Sequence, residues 1–153
     1  MVVHPEVALL APVPNVFLKQ GQALCESRKG KVAFGSRAWE LFRDLDDIRC
    51  GADVDVYIYA SQIQGPPAVT WRARYIGAVE GINGAHPEGY KYRPEFVKAD
   101  GEDRNAYWAI FWEVADLKPL DEPIAIKDLH GFKTGKGFSK TLIPEGPMLI
   151  ERP

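Results

Sequence analysis

The sequence predicts a single domain of the α+β class that is mostly β: a small antiparallel barrel with one or two short helices. A chain of 153 residues is a comfortable length for one hydrophobic core, so residues 1–153 are expected to form one domain. About six short segments have strand patterns, and no β-α-β alternation or internal repeat occurs. The one or two helices of such a fold are expected to plug the openings of the barrel.

The N-terminal segment predicts a strand followed by a helical turn. Residues 6–13, "EVALLAPV", are apolar and lead to Pro14, which has no N–H group to donate to a sheet. Asn15 is then a candidate cap for a short helical turn, and Gly21 is a candidate for its end. The first strand therefore leads directly into a short helical connection.

A brief strand and an amphipathic helix come next. The stretch "KGKVAFGS" predicts a turn and then a short strand, and its last residue, Ser36, is a candidate N-cap. In "RAWELFRDL" the residues Trp39, Phe42 and Leu45 recur every three positions, which places them on one apolar stripe of a helix.

Two further strands form a central hairpin. Residues 53–61, "DVDVYIYAS", alternate apolar and polar side chains, so this strand has one clearly apolar face. In residues 68–81 one face carries Val69, Trp71, Ala73 and Tyr75. The opposite face carries Thr70, Arg72 and Arg74. Both patterns are typical of antiparallel strands.

The rest of the chain combines long connections with strands. Residues 81–105 are polar and rich in Gly and Pro, and a connection of this length is usually functional or disordered. "AYWAIFWEVADLKPL" is the strongest strand; its aromatic residues on both faces over 107–112 indicate burial on both sides or a face that lines a pocket. "PIAIKDL" predicts a strand and a turn, "GFKTGKGFSK" a flexible loop, and "PMLIER" a last short strand.

Composition limits the possible partners and the compartment. A formal net charge of -2 argues against a protein that grips duplex nucleic acid mainly through phosphates, although a local basic groove is compatible with it. Cys25 and Cys50 form no CxxC motif and are too few for a disulfide scaffold, which fits a reducing compartment. No segment approaches the length of a membrane span. We therefore expect a cytoplasmic protein with no membrane partner.

Motifs for catalysis and metal binding are absent from the sequence. The loop "GFKTGKGFSK" lacks the Gly-Lys-Ser/Thr of a phosphate-binding loop, so it is interpreted as a basic loop at one side of a groove. His4, His86 and His130 have no second ligand at metal spacing, so no metal site and no cofactor are predicted. His86 is expected to be a solvated loop residue. No Gly-x-Ser-x-Gly element is present.

The aromatic residues suggest a function more directly. Most of them are expected in the core, Trp112 included, because aromatic rings bury a large area. The functional alternative is a slot in which a nucleobase stacks on a ring, a contact worth ~1–3 kcal/mol per base. Arg72 and Arg74 beside Trp71 then either contact phosphates or pair with Asp53 or Asp55 across the hairpin.

Several segments resemble one known superfamily. "GADVDVYIYASQ" followed by "AVTWRARYIGAVEG" resembles the central hairpin of PUA-like domains, particularly EVE and ASCH domains. "WEVADLKPLDEPIAIKDL" is similar to an EVE segment in which a Trp opens a strand. "GQALCESR" matches three positions of the ASCH motif Gly-x-Lys-x-x-Glu-x-Arg through Gly21, Glu26 and Arg28, with Ala23 in place of the lysine. A competing alignment, "GSRAWELFR", supplies Gly35, Arg37 and Glu40.

The resemblance implies a small β-barrel whose cleft accepts a nucleic-acid base, often a modified one. The leading hypothesis is therefore a binding module for a nucleobase or nucleotide, most plausibly a modified base in RNA or DNA, held in an aromatic-walled cleft. In this hypothesis Arg28 or Arg93 meets a phosphate, and Ser61 bonds the edge of the base. The expected cleft residues are Ser61, Gln62, Trp71, Trp39, Trp108, Glu26 and Arg28.

Two alternatives stay open. Some ASCH members hydrolyse acylated pyrimidine nucleosides, and the resemblance would make Glu26 the base of such an amidohydrolase. Because Ala23 replaces the motif lysine, the amidohydrolase hypothesis needs another cation, Arg37 or Lys31. The missing lysine therefore argues against enzymatic activity. The third hypothesis is a protein-interaction module that contacts its partner through residues 81–105.

Overall fold

One six-stranded sheet organises the chain. The structure, a computed structural model, describes residues 3–61, 65–95, 97 and 102–153. The strands are β1 (Val3–Pro14), β2 (Val32–Ser36), β3 (Asp53–Ser61), β4 (Ala68–Glu80), β5 (Ile110–Ala125) and β6 (Met148–Glu151). They follow one another in the order β2-β5-β4-β3-β1-β6. Every described pairing is antiparallel except that of β1 with β3.

Helices connect the strands of this sheet. The helices are α1 (Asn15–Glu26), α2 (Trp39–Arg49) and the short α3 (Glu102–Ala106), with a 3₁₀ turn at Ile126–Asp128. The predicted α+β, mostly β class is therefore confirmed. The sheet is not closed in the described residues, because β2 and β6 stand at opposite ends of the strand order. The gap between these ends is where the candidate site lies.

Helix α1 is longer than the sequence suggested. Pro14, not Asn15, occupies the N-cap position, and the helix runs through Gly21 instead of ending there. Gly21 is buried, and a Cβ atom at this position would lie 2.8 Å from the Leu117 Cδ2 atom of β5. Glycine is therefore needed at this position because helix and sheet approach closely, and not because of its conformational freedom.

Helix α2 begins after Ala38, and its predicted stripe is only partly buried. Ser36 does not cap the helix; its Oγ atom accepts the backbone N–H of Ala38 at 3.0 Å. Phe42 and Leu45 are buried, whereas Trp39 is 48% exposed at the first residue of the helix. The guanidinium of Arg43 lies 5.3 Å from the centre of the Trp39 ring. Trp39 is thus a surface residue.

Hydrophobic clusters cover both faces of the sheet. The larger cluster joins α1 and α2 to the sheet through residues such as Leu18, Phe42 and Val56. The smaller cluster lies under the C-terminal segment and includes Leu10, Tyr59, Leu129 and Ile150. Strand β3 is consequently buried on both faces up to Ala60, although its alternating sequence predicted one apolar face and one polar face.

A bulge in strand β4 changes the side of the sheet to which its residues point. Ile58 pairs with Trp71 and Tyr59 pairs with Val69, so Thr70 is the extra residue. Val69 therefore joins the smaller cluster while Trp71 joins the larger one. The prediction that both share a face was wrong, because a one-residue shift reverses the side on which a strand residue points.

The two arginines of β4 pair with carboxylates across the hairpin. Arg72 Nη2 lies 3.1 Å from Asp55 Oδ2, and Arg74 Nε lies 2.7 Å from Asp53 Oδ2. The Arg74 contact is an ion pair without the alignment of a hydrogen bond. Asp55 also receives Arg152 at 2.8 Å. Of the two interpretations of these arginines, the structure shows the pairing and not a free basic face.

The long connection after β4 is packed against the sheet where the structure describes it. His86 is 5% exposed, so the prediction of a solvated histidine was wrong. Its Nδ1 atom accepts the backbone N–H of Glu88 at 3.0 Å, which leaves Nε2 to donate to Glu113 Oε2 at 3.2 Å. Glu113 also receives Lys31 Nζ at 3.0 Å. A buried polar cluster thus fastens this connection to β2 and β5.

The C-terminal half of the chain contains one long strand where the sequence suggested two. Strand β5 runs unbroken from Ile110 to Ala125, and the predicted strand "PIAIKDL" supplies its end and the 3₁₀ turn. None of the helices in the described part of the chain has the length and apolar character needed to cross a membrane.

Removal of the Tyr75 hydroxyl should change both the stability and its pH dependence. Tyr75 is fully buried and donates to Asp46 Oδ1 at 2.9 Å; burial, and then the Asp46 charge, raise the pKa of this phenol far above its ordinary value of 10.0. Below pH 10 both the folded and the unfolded chain keep the proton. Above pH 10 only the unfolded chain releases it, so stability falls by up to about 1.4 kcal/mol per pH unit.

We expect Tyr75→Phe to lower the free energy of unfolding by about 1 kcal/mol at pH 7 and to reduce the alkaline loss above pH 10. Urea denaturation at pH 7, 9, 10 and 11 measures both effects. Tyr90→Phe is the matched control, since Tyr90 is exposed and should change neither value. Parallel stability curves for wild type and Tyr75→Phe above pH 10 would contradict the assignment.

Candidate ligand cavity

A cavity of about 390 Å³ opens between the two ends of the sheet. Its walls come from the end of β1, the start of α1, strand β2 with the two residues after it, the chain around the start of β5, and the segment before β6. We call it the aromatic cavity because four aromatic rings line it. These rings are Phe17, Phe34, Trp108 and Trp112.

The back wall is continuous with the core. Trp112 is only 3% exposed and packs against Phe34, with ring centres 5.0 Å apart, and against Phe42, with ring centres 5.9 Å apart. Trp112 is therefore a core residue, as the sequence indicated, and at the same time the floor of the cavity. A wall made of core residues is held rigidly, which favours a preformed binding site.

Trp108 forms the side wall on the edge of the cavity. Its indole ring covers Gly35, where a Cβ atom would overlap the ring, so only glycine permits this contact. Its Nε1–H donates to Asp103 Oδ1 at 3.1 Å, and its backbone N–H donates to the Gly84 carbonyl at 3.2 Å. The ring is thus fixed by the strand below it and by the connection beside it.

A buried ion pair holds Asp103 in place. Arg93 Nε and Nη2 donate to the two carboxylate oxygens of Asp103 at 2.9 and 2.6 Å, and both side chains are 3% exposed. Arg93 Nη1 also donates to the Ala33 carbonyl. Arg93 lines the cavity, but its charge, which the sequence interpretation gave to a phosphate, is already paired with Asp103, so Arg93 supports Trp108 instead.

The cavity also faces unpaired backbone. Ala33 N–H donates to the Tyr92 carbonyl, which shows that the peptide groups of Ala33 point away from β5. Peptide groups alternate in direction along a strand, so those of Gly35 point the same way, into the gap. Apart from the sheet ladder itself, the described residues show no backbone hydrogen bond of the Gly35 N–H or C=O, and from the alternation we infer that both are unpaired. They form a donor and an acceptor side by side.

Opposite charges stand at the entrance. Arg37 is exposed, donates from Nη2 to the Ala106 carbonyl at 2.6 Å, and has its guanidinium 5.8 Å from the Trp108 ring centre. Glu145 is exposed on the other side of the opening. No group of three His, Cys, Asp or Glu side chains in the described ranges is placed to hold a metal ion.

The structure brings together only part of the predicted site. Trp108 and Arg93 line the cavity. Trp39 is a surface residue of α2, and Trp71 is buried in the core at 8% exposure and does not line the cavity. Ser61 is the register partner of Pro14, so it lies one strand away from the wall. Gln62 lies outside the described residues.

Glu26 and Arg28 lie at the wrong end of helix α1 for this site. The helix enters the cavity wall at Phe17, and Glu26 follows nine residues later, about 14 Å along the axis. Glu26 is exposed there and accepts Gln22 Nε2 at 3.3 Å, and Arg28 is exposed beyond the helix end. Neither alternative cation, Arg37 or Lys31, is recorded in contact with Glu26. Among the described residues, Glu26 is therefore not brought together with the cation that the amidohydrolase hypothesis needs.

Sequence reasoning missed Phe17 and Phe34, and it named Gly35 only in the competing alignment with the ASCH motif. A second signal for Gly35 is its position inside the apolar strand "VAFGS", because a glycine within a strand often marks close approach by another group. Phe17 and Phe34 have ordinary core patterns, and their position at a gap depends on the sheet order.

Comparison with known proteins adds no family assignment. The sequence matches no protein-family model, and it matches no curated protein. The site is therefore interpreted from its own geometry.

The glycine at position 35 should be essential for the position of Trp108. We expect Gly35→Ala to destabilise the fold by about 1–3 kcal/mol, because the added methyl group overlaps the indole ring. Near-ultraviolet circular dichroism should also show a changed tryptophan environment. Gly146→Ala is the matched control: Gly146 lines the same cavity, but its added Cβ atom meets nothing within 4 Å. Equal stability of the two variants would refute the close contact.

Removal of one partner of the buried Arg93–Asp103 pair should lower the free energy of unfolding strongly. Asp103→Ala leaves a buried guanidinium without its carboxylate, so we expect a loss of about 3–5 kcal/mol in chemical denaturation. Asp128→Ala removes a carboxylate whose side chain is 63% exposed and should cost less than about 1 kcal/mol. A loss below 1 kcal/mol for Asp103→Ala would show that Arg93 does not depend on this pair.

Proposed function

We propose that the aromatic cavity binds one nucleobase or nucleotide, a modified base of RNA or DNA, and that the chain is a PUA-like binding module. The observation that carries the proposal is the combination of two tryptophan rings with the unpaired peptide of Gly35. The partly exposed Trp108 ring offers an apolar face, the buried Trp112 ring closes the cavity behind it, and the peptide offers one donor and one acceptor at the same opening. An unpaired base needs both: a stacking surface and a hydrogen-bond partner for its edge.

The size and charge of the cavity agree with this ligand. A volume of about 390 Å³ lies within the roughly 300–1,000 Å³ of small-molecule sites. The walls are mostly apolar, and Arg93 is neutralised by Asp103, so the interior suits a neutral ring system. Arg37 at the entrance is positioned to meet a phosphate or a carbonyl group outside the cavity. It takes the role that the sequence interpretation gave to Arg28 or Arg93.

The location proposed for this activity is the cytoplasm. Cys25 and Cys50 are both free thiols. Burial raises the pKa of the Cys25 thiol, which keeps it protonated and unreactive. Two unpaired cysteines fit a reducing compartment.

Fluorescence titration tests the proposal. Methylated and unmodified nucleoside 5′-monophosphates, and the free nucleosides, are added while tryptophan emission is recorded. We expect a saturable change for at least one of them, because Trp108 and Trp112 contact the ligand. Absence of a saturable response to every compound would end this proposal.

Two variants locate the binding site. Trp108→Ala removes a stacking wall and should weaken binding by about 1–3 kcal/mol, roughly 5- to 150-fold in Kd. Gly146→Phe fills the cavity from open space without removing a wall and should abolish binding with the fold intact. Trp39→Ala is the control, since this exposed tryptophan lies outside the cavity and should leave Kd unchanged. A Kd that responds to Trp39→Ala but not to the other two would place the ligand elsewhere.

A further inference from the structure

A second groove adjoins the aromatic cavity. It has a volume of about 510 Å³ and lies between helix α2, the loop that follows the 3₁₀ turn, and the start of β6. Its lining residues are Leu41, Asp44, Phe132, Lys133, Phe138 and Leu149, with Pro147 and several others. We call it the flanking groove.

The two spaces share one wall. Pro147 lines both of them, with Glu145 and Gly146 on the cavity side and Met148 and Leu149 on the groove side. The cavity and the groove are therefore neighbours at Pro147. A ligand that extends out of the cavity past this residue would reach the groove.

The loop that borders the groove is fixed by backbone hydrogen bonds. Phe132 N–H donates to the Leu149 carbonyl at 3.1 Å, which attaches the loop to β6. Gly131 N–H donates to the Lys136 carbonyl at 2.9 Å, and Gly135 N–H donates to the Gly131 carbonyl at 2.9 Å. The loop that the sequence predicted to be flexible is thus a closed turn that presents its side chains at a defined place.

The charges of this loop are of one sign. The stretch 129–144 contains Lys133, Lys136 and Lys140 and no acidic residue, in a protein whose net charge is -2. All three lysines are exposed, and no ion pair of theirs is found in the described residues. Against them stand Asp44 in the groove, which lies 3.5 Å from Arg43, and Glu145 at the cavity. Of the three lysines, Lys133 lines the groove, so the loop side of the groove carries a cation beside apolar residues.

We propose that the flanking groove binds the nucleotide next to the one held in the aromatic cavity, so that the partner is single-stranded nucleic acid. Phe132 and Phe138 give ring surfaces to a second base, and Lys133, which lines the groove, neutralises a phosphate together with the exposed Lys136 of the same loop. This inference rests on the proposed function of the cavity. A free nucleoside would leave the groove and the lysines unused, and a paired duplex would not offer its bases to either space.

The experiment compares ligands that differ only in length. Binding of the tightest nucleoside monophosphate is measured at several salt concentrations, beside a single-stranded hexanucleotide that contains the same residue, in RNA and DNA form. We expect tighter binding of the hexanucleotide and a steeper fall of log K with log salt, by about 0.7 per phosphate contact.

Lysine variants test whether the groove causes the difference between hexanucleotide and monophosphate binding. Lys133→Ala with Lys136→Ala should lower the salt slope of hexanucleotide binding by about 1.4 and leave monophosphate binding unchanged. Lys118→Ala, at an exposed lysine of β5 outside both spaces, is the control and should change neither. Equal affinity for monophosphate and hexanucleotide, or an unchanged slope in the double variant, overturns the inference while the cavity function stands. Failure of every ligand to bind overturns both.

Discussion

The unpaired edge of strand β2 is the constraint on which the site depends. Because the sheet is not closed, every second peptide of this strand points away from β5 and needs another partner. At Ala33 the partners are the Tyr92 carbonyl and the Arg93 guanidinium, supplied by the long connection. At Gly35 the corresponding groups face a cavity. The edge of β2 therefore binds the long connection at Ala33 and borders the cavity at Gly35.

The Arg93–Asp103 pair extends this constraint to the cavity wall. Burial of two charges carries a large desolvation cost, and such a pair is weak evidence for stability as such. Here its geometry has a positional consequence: the Asp103 carboxylate that accepts Arg93 also accepts the Trp108 indole N–H. Arg93 in turn reaches back to Ala33. One charged network thus connects the strand edge, the connection and the stacking ring, which keeps the wall in a single orientation.

Much of the fold was predictable from local sequence patterns. The strand at residues 53–61 and the helix containing Phe42 and Leu45 follow from periodicity, which is a local property. Predictions failed where a neighbour decided the outcome. Gly21 continues a helix because Leu117 packs against it, and the Thr70 bulge separates Val69 from Trp71 because both flanking strands impose their registers. His86 is buried because Glu113 and the Glu88 backbone satisfy its ring nitrogens.

The candidate site shows the same division. By itself the sequence determined a β-rich domain with many aromatic residues and a basic loop, and among its candidate site residues were Trp108 and Arg93, which line the cavity. It assigned Trp39, Trp71, Ser61 and Glu26 to the same site, because residue type and proximity in sequence carry no information about which strand becomes an edge. Only the tertiary structure decided that β2 and β6 stay apart and that a glycine beside this gap lies under an indole ring. The physical reason is that cavities form between elements distant in sequence, where packing and unpaired backbone meet.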